Sequence, residues 1–432
     1  AAGVGMVIGL VTFLVFQKQV RSDVEAAGNT MGLAIQQQKP GATRDNASGV
    51  VRDASEALPG EKGFAGFLAK ATPVVMIVGG VAIPLRYAVS LARGETSLLD
   101  VAMPSALGVI AVIMGFVLRT IRGAARDKSI VIFLLFGFTV LFWMAFEQAG
   151  NALNIWADIH TDLRVGPLEY PAEYWQFVNP IFIVSIGPLL SILWIALAQK
   201  GREPSTPAKM LAAMVFMALS FGAMVAGAQA ENAHTTRVPL AALPAGVDVE
   251  RFDAGRLRYN SERHELESRG VLAPFTVTEA LEAVAAPDYR TELAKLPDTD
   301  AEPRDRLLRR KTPRAYAEAL DSLASASGAA RTSGLWLLLC YFFSTLGELC
   351  LSPVGLSMVT KLAPTRFASL FMGVWFLGLA VAEYVGGSLG ENWGRVTPTS
   401  YFATFVWTSC AGALVLAALV VPLRKLMHDA AR

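Results

Sequence analysis

Apolar residues along this chain come in blocks about 20 long, nearly free of charge and separated by short charged stretches. The blocks fall at about 72–92, 99–118, 129–157, 175–198, 208–228, 334–360, 367–390 and 401–423. A helix rises about 1.5 Å per residue, so roughly 20 residues cover the ~30 Å hydrocarbon core of a bilayer. A soluble helix would be shorter and would keep a polar stripe against water. The pattern therefore predicts an all-α polytopic membrane protein. A further apolar stretch, 1–17, reads as the end of a spanning helix whose beginning lies outside the sequence, so the chain reads as a fragment. A polar loop fills 18–71. A long polar insert, 229–332, precedes the last three spans. Thr278–Ala286 and Arg314–Ala326 have the composition of short helices, and the insert is either a small helical cap or a mostly mobile loop.

Composition agrees with the pattern, at 53% hydrophobic and only 17% charged residues. Cys340, Cys350 and Cys410 all sit inside apolar blocks, so neither a disulfide framework nor metal-ligand spacing is present. The four histidines fall in loops or at the tail. No cofactor is implied. A membrane-embedded hydrolase or transferase would need a nucleophile–base pair or metal cluster that the spans lack, so an enzyme is not expected. Net charge of +2 without a basic face interleaved with aromatics gives no reason to expect nucleic acid. Lys and Arg concentrate in alternate short loops: Arg119, Arg122, Arg126 and Lys128; Lys200, Arg202 and Lys209; Lys361 and Arg366; Arg424, Lys425 and Arg432. By the positive-inside rule these lie in the cytoplasm, with the C-terminus, and the insert lies outside. The expected location is the inner (plasma) membrane.

Ionisable residues inside hydrocarbon cost several kcal/mol and are functional candidates by default. Trp143, Glu147, Asn151, Asn154 and Asp158 recur at spacings of four, four, three and four, which puts them on one helix face. Glu147 is either half of a structural ion pair or a carboxylate that gains and loses a proton. A second stripe holds Tyr341, Ser344, Glu348 and Ser352, followed by Pro353 and Gly355. Proline removes a backbone hydrogen bond, so this is either a passive kink or a gate beside a binding site. Asn179, ahead of Pro180, faces a ligand or a neighbouring helix. Trp143, Trp175 and Trp375 line a cavity or sit in interfacial belts, the belt being favoured for Trp175 near a helix end. Glu383, Asn151 and Tyr341 are secondary polar positions; Glu383 faces a water-filled vestibule or pairs across the bundle.

Three stretches together resemble the proton-dependent oligopeptide transporter family. They are Phe142-Trp143-Met144-Ala145-Phe146-Glu147-Gln148, Trp175-Gln176-Phe177-Val178-Asn179-Pro180, and Gly347-Glu348-Leu349-Cys350-Leu351-Ser352-Pro353-Val354-Gly355-Leu356-Ser357. Thr360-Lys361-Leu362-Ala363-Pro364 and Met372-Gly373-Val374-Trp375-Phe376 also fit. The resemblance implies the major facilitator fold, two six-helix bundles with a helical hairpin between them. Residues 1–17 would then end the N-terminal bundle, 72–122 would be the hairpin, and 129–228 with 334–424 the C-terminal bundle. It implies a symporter for di- and tripeptides and protons. Glu348 would receive the peptide's amino terminus with Asn179 assisting, and Glu147 would serve in proton coupling. Ser352 and Trp375 would lie near the peptide site and its cytoplasmic gate, and Trp143 would form a pocket wall. The family's Glu-x-x-Glu-Arg signature belongs to a missing N-terminal bundle, the expected partner besides lipid. The insert is also longer than is usual for a bacterial member, without the alternating strands of an immunoglobulin-like fold. The same family moving another small solute is the nearest alternative; an isolated fragment would not transport.

Overall fold

The computed structural model describes residues 64–93, 98–165, 168–297 and 301–427. The expectations for 1–17 and for most of 18–71 concern residues outside this set. Among the described residues seven helical stretches are long and apolar enough to cross a membrane.

Helices α1 (Phe64–Ala92) and α2 (Leu98–Thr120) form an antiparallel hairpin. Gly80 and Gly108 let its backbones meet: a Cβ on Gly80 would strike the Gly108 carbonyl, and one on Gly108 would strike the Pro84 ring. Such close approach through small residues replaces the hydrophobic drive that lipid removes between helices. The outward Val74, Val75, Val78 and Val81 are exposed, as a lipid-facing surface requires.

The next apolar stretch, 123–160, is one block in sequence and three pieces in structure. α3 (Gly123–Phe146) gives way to a 3₁₀ turn, Glu147–Gly150, and then to α4 (Ala152–His160). Asn151 breaks the helix with φ −120° and ψ −106°. The face expected to run unbroken from Trp143 to Asp158 is therefore interrupted at Glu147. The break falls where Gln148 is fully buried and tied to other helices. Its Nε2 donates to the Gly386 carbonyl at 3.0 Å, and its Oε1 accepts from the Tyr401 hydroxyl at 2.6 Å. Long-range polar contacts here outweigh helical periodicity.

A 3₁₀ segment, Ala172–Phe177, leads into α5 (Val178–Gln199), none of whose residues is buried. α6 (Thr206–Asn232) is the opposite case. Met210, Met214, Met217, Phe221, Met224 and Ala228, spaced alternately four and three apart, are all buried in the bundle core. That spacing draws a single apolar stripe along the helix, the seam it packs into the bundle. α11 (Leu335–Leu362) and α13 (Pro398–Met427) pack along α6, and α12 (Ala368–Gly390) along α3. Ser220 on α6 donates to the Cys340 carbonyl on α11 at 2.8 Å, a polar tie across the apolar seam.

The insert is a folded α+β unit, not a bare helical cap and not a mostly irregular loop. Strands β1 (Thr235–Pro239), β2 (Leu257–Asn260) and β3 (Glu265–Arg269) form an antiparallel sheet ordered β1-β3-β2. β3 buries Leu266 and Ser268 and turns Glu265, Glu267 and Arg269 away, the period-2 signature of a half-buried strand. Four helices complete the unit, α7 (Pro274–Glu282), α8 (Tyr289–Leu293), α9 (Ala301–Lys311) and α10 (Arg314–Ser327), and α10 packs on the sheet. Phe252, Leu257, Leu266, Leu281, Leu308, Tyr316 and Leu320 make a core separate from that of the bundle.

Candidate functional site

Two polar constellations lie on the membrane helices, and a third joins them to the insert. In the first, Asn179 stands in the opening turn of α5 and faces α11. Its Nδ2 donates to Glu348 Oε2 and to Thr345 Oγ1, each at 3.0 Å. Thr345 in turn donates to the Tyr341 carbonyl at 2.7 Å, so its hydroxyl is satisfied in both directions. Asn179 thereby fixes one oxygen of a half-buried carboxylate and leaves the other free to accept. A cavity of about 280 Å³ opens beside this group, lined by Phe146, Glu147, Asn179, Cys340, Tyr341 and Ser344 among others.

Glu147 lies in the 3₁₀ turn after α3. Glu348 and Glu383 are the carboxylates close enough to act on it electrostatically. Three acids from three elements thus converge, and none has an ion-pair partner among the described residues. Glu383 is exposed on α12, one turn before the Gly386 carbonyl that Gln148 holds. Trp143 is half-buried and meets Phe146 edge to face at 5.0 Å between centroids. Asn151 packs against Gly390 at the end of α12.

In the second constellation, α11 continues as one helix through Pro353. Gly355 is the close-approach point, because a Cβ there would enter the Trp375 ring. Trp375 is buried and Ser352 half-buried, and neither lines the cavity that holds Glu147 and Asn179. Ser352, Pro353 and Gly355 thus lie further along α11, with Trp375 of α12 packed against Gly355; Glu348 likewise sits beside that cavity and does not line it. Trp175 is only 8% exposed and lies parallel to Tyr341, so it packs inside the protein and not in an interfacial belt.

The third constellation was not legible at all. His160, at the end of α4, is buried against Trp156, with ring centroids 4.5 Å apart. It is therefore no loop histidine. Its Nδ1 lies 3.0 Å from Glu231 Oε2, and an ionised carboxylate only accepts, so Nδ1 carries the proton. Glu231 Oε1 accepts from Arg256 Nη1 and from the Val271 amide, both at 3.0 Å. Arg256 also holds Asp253 through Nε and Nη2 at 3.0 and 3.1 Å. Glu231, Asp253, Arg256 and His160 are all nearly inaccessible to water. Burial pushes the Asp253 carboxyl up, against the pull of the Arg256 guanidinium. Asp253, Ala254 and Gly255 are consecutive left-handed residues with φ of 51°, 49° and 82°, a strained turn that the ion network holds in place. This network fastens the insert to α4 and α6. Among the central residues, Thr345 and Gln148 were also not anticipated as site-forming, although Gln148 stands inside the Phe-Glu-Gln motif.

Comparison with known proteins shows the family of the chain. The family profile described as the POT family (PTR2) matches residues 1–245 and 313–397, leaving out only the middle of the insert and the tail. The peptide transporter YePEPT of Yersinia enterocolitica subsp. palearctica is 26% identical over 309 residues, covering 70% of this chain and 42% of its own length. A di-/tripeptide transporter of Lactococcus lactis subsp. cremoris is 22% identical over 364 residues, covering 82% of this chain and 53% of its own. A crystal structure of a peptide transporter POT in complex with sulfate aligns with a TM-score of 0.49 at 24% identity, over 83% of this chain and 54% of that one. The chain thus spans about half the length of the relatives it matches. With the family profile matching well over half of its residues, this chain belongs to the POT family of membrane transporters.

Proposed function

We propose that this chain supplies the C-terminal half of a proton-coupled symporter that takes up di- and tripeptides by alternating access. The observation that carries the reading is Asn179, which lines the cavity, orienting Glu348 behind it: one carboxylate oxygen is fixed and the other makes no hydrogen bond among the described residues. A peptide's terminal ammonium would complete that site through a charge-assisted hydrogen bond, strong where water is scarce. Relatives named as peptide transporters support the substrate class. Backbone and termini are common to all short peptides, so a few fixed polar groups serve many side chains. Glu147 is the proposed proton carrier, with Glu383 as a second acidic group beside it. The group of Gly355, Pro353, Ser352 and Trp375 is the proposed cytoplasmic gate, and Trp143 a pocket wall.

The exposed apolar face of α5 is where a preceding six-helix bundle would pack, with α1 and α2 as the hairpin between bundles. Rocking of two bundles about a midplane site gives alternating access. The loop distribution of Lys and Arg supports a cytoplasmic C-terminus and an insert facing outside. The experiment is gradient-driven uptake by the complete transporter reconstituted in liposomes. Glu147→Gln should abolish accumulation against a gradient while leaving peptide exchange across the membrane. Undiminished accumulation by that variant would sink the assignment of Glu147.

A further inference from the structure

At the end of the bundle that carries the basic loops, α5 leans away from α6 and leaves a groove of about 1060 Å³. Its walls include Leu190 and Trp194 of α5 and Val420 of α13, and its rim carries Lys361 and Arg424. Lys209 is mostly buried at the floor. Its ammonium lies 2.6 Å from Glu203 Oε1 and 4.9 Å from the centre of the Trp194 ring, so its charge is already balanced and its position fixed. Lys361 and Arg424 are exposed and make no ion pair among the described residues. The groove therefore has two cations, unpaired among the described residues, on its rim and an apolar cleft running between α5 and α11.

We propose that this groove binds an anionic phospholipid of the leaflet nearest the C-terminus, its phosphate between Lys361 and Arg424 and an acyl chain between α5 and α11. A small free anion would use the cations and leave the apolar walls wet. A neutral lipid would use the walls and leave two like charges unanswered. An anionic phospholipid satisfies both, and basic side chains at a helix end sit at headgroup depth. The inference rests on the membrane-spanning fold and is independent of the transported substrate.

The test is native mass spectrometry of the purified protein with equimolar phosphatidylglycerol and phosphatidylcholine of matched chains. Wild type should retain phosphatidylglycerol preferentially. Lys361→Ala with Arg424→Ala should weaken that retention roughly thirtyfold, about fivefold for each juxtamembrane cation. Lys361→Arg with Arg424→Lys should keep it, which separates lost binding from lost folding. The control Arg119→Ala with Arg122→Ala removes an equal charge elsewhere on the same side and should keep the preference. Equal retention of the two lipids would overturn the proposal, as it would if another part of the transporter filled the groove. So would an equal loss in the control pair, which would mark general surface attraction. Displacement of the lipid by millimolar inorganic phosphate would mark an anion site alone and would equally overturn it.

Discussion

Replacing Arg256 with Met is the most informative perturbation of the insert, because it keeps the stem and removes every charged contact. Arg256 supplies both side-chain partners of Asp253 and one of the three that reach Glu231. Met leaves Asp253 buried with no counter-ion beside it, while Glu231 keeps His160 and the Val271 amide. Breaking a buried ion pair from one side costs about 3–5 kcal/mol. The individual hydrogen bonds are not summed, since groups in one network are not additive. For a unit of about 100 residues this corresponds to a fall on the order of 10–30 °C in the unfolding of the insert. Hydrogen–deuterium exchange over residues 235–330 against temperature would read it. Two further results follow. Adding Asp253→Asn to Arg256→Met should recover a large part of the loss, because the orphaned charge is gone and Asn tolerates the left-handed backbone at that position. Lowering the pH should also help the single variant. Burial already pushes the Asp253 carboxyl up, and without Arg256 that push is opposed only by the weaker pull of His160. A carboxyl raised in the folded state keeps its proton where the unfolded chain has lost it, so stability falls as pH rises through that window and returns as pH drops. A loss under about 1 kcal/mol, or a double variant worse than the single, would refute the reasoning from buried charge.

Two other predictions follow from the same kind of geometry. Asn179→Ala frees the second oxygen of Glu348 and should raise the peptide KM about tenfold with little change in maximal rate, since one hydrogen bond to a charged group is worth about 1.5–3 kcal/mol; an unchanged KM in uptake assays would remove Asn179 from the site. Tyr316 is buried in the insert core, its hydroxyl has no hydrogen-bond partner there, and burial pushes it up to about 12. Its folded pKa exceeds the unfolded value, so its contribution is intact below about pH 10 and is lost as the pH climbs toward 12, up to ~2–3 kcal/mol at about 1.4 per unit. Urea unfolding of the insert at stepped alkaline pH would show it, and Tyr316→Phe should flatten the profile; equal slopes in both proteins would contradict the account.

The spans were legible because a bilayer imposes a length and an apolarity that almost nothing else does. Glu147, Asn179 and Glu348 stood out for a related reason: a carboxylate or amide inside such a block is costly and rare. What the chain could not display was the break at Asn151, since Gln148 is held by Gly386 and Tyr401, 238 and 253 residues away. The insert was misjudged by composition. Its balanced charge and many alanines concealed strands of four and five residues, too short to stand out, although the alternation of β3 is visible once its register is known. His160 looked like a loop residue because helix ends and loops are alike in sequence, and its partner lies 71 residues on. Trp175 was assigned to an interfacial belt from its place near a helix end, whereas a stacking partner from α11 decides its burial.

The central claim is that Glu348, positioned by Asn179, receives the amino terminus of a peptide driven inward by protons. The direct test is uptake of labelled alanyl-alanine by the complete transporter in liposomes under an imposed pH gradient, comparing wild type with Glu348→Gln. The account predicts uptake that requires the gradient, competition by other di- and tripeptides, and loss of uptake in the variant while the protein remains folded. Full uptake by Glu348→Gln, or a folded wild type that ignores peptides under the gradient, would contradict it.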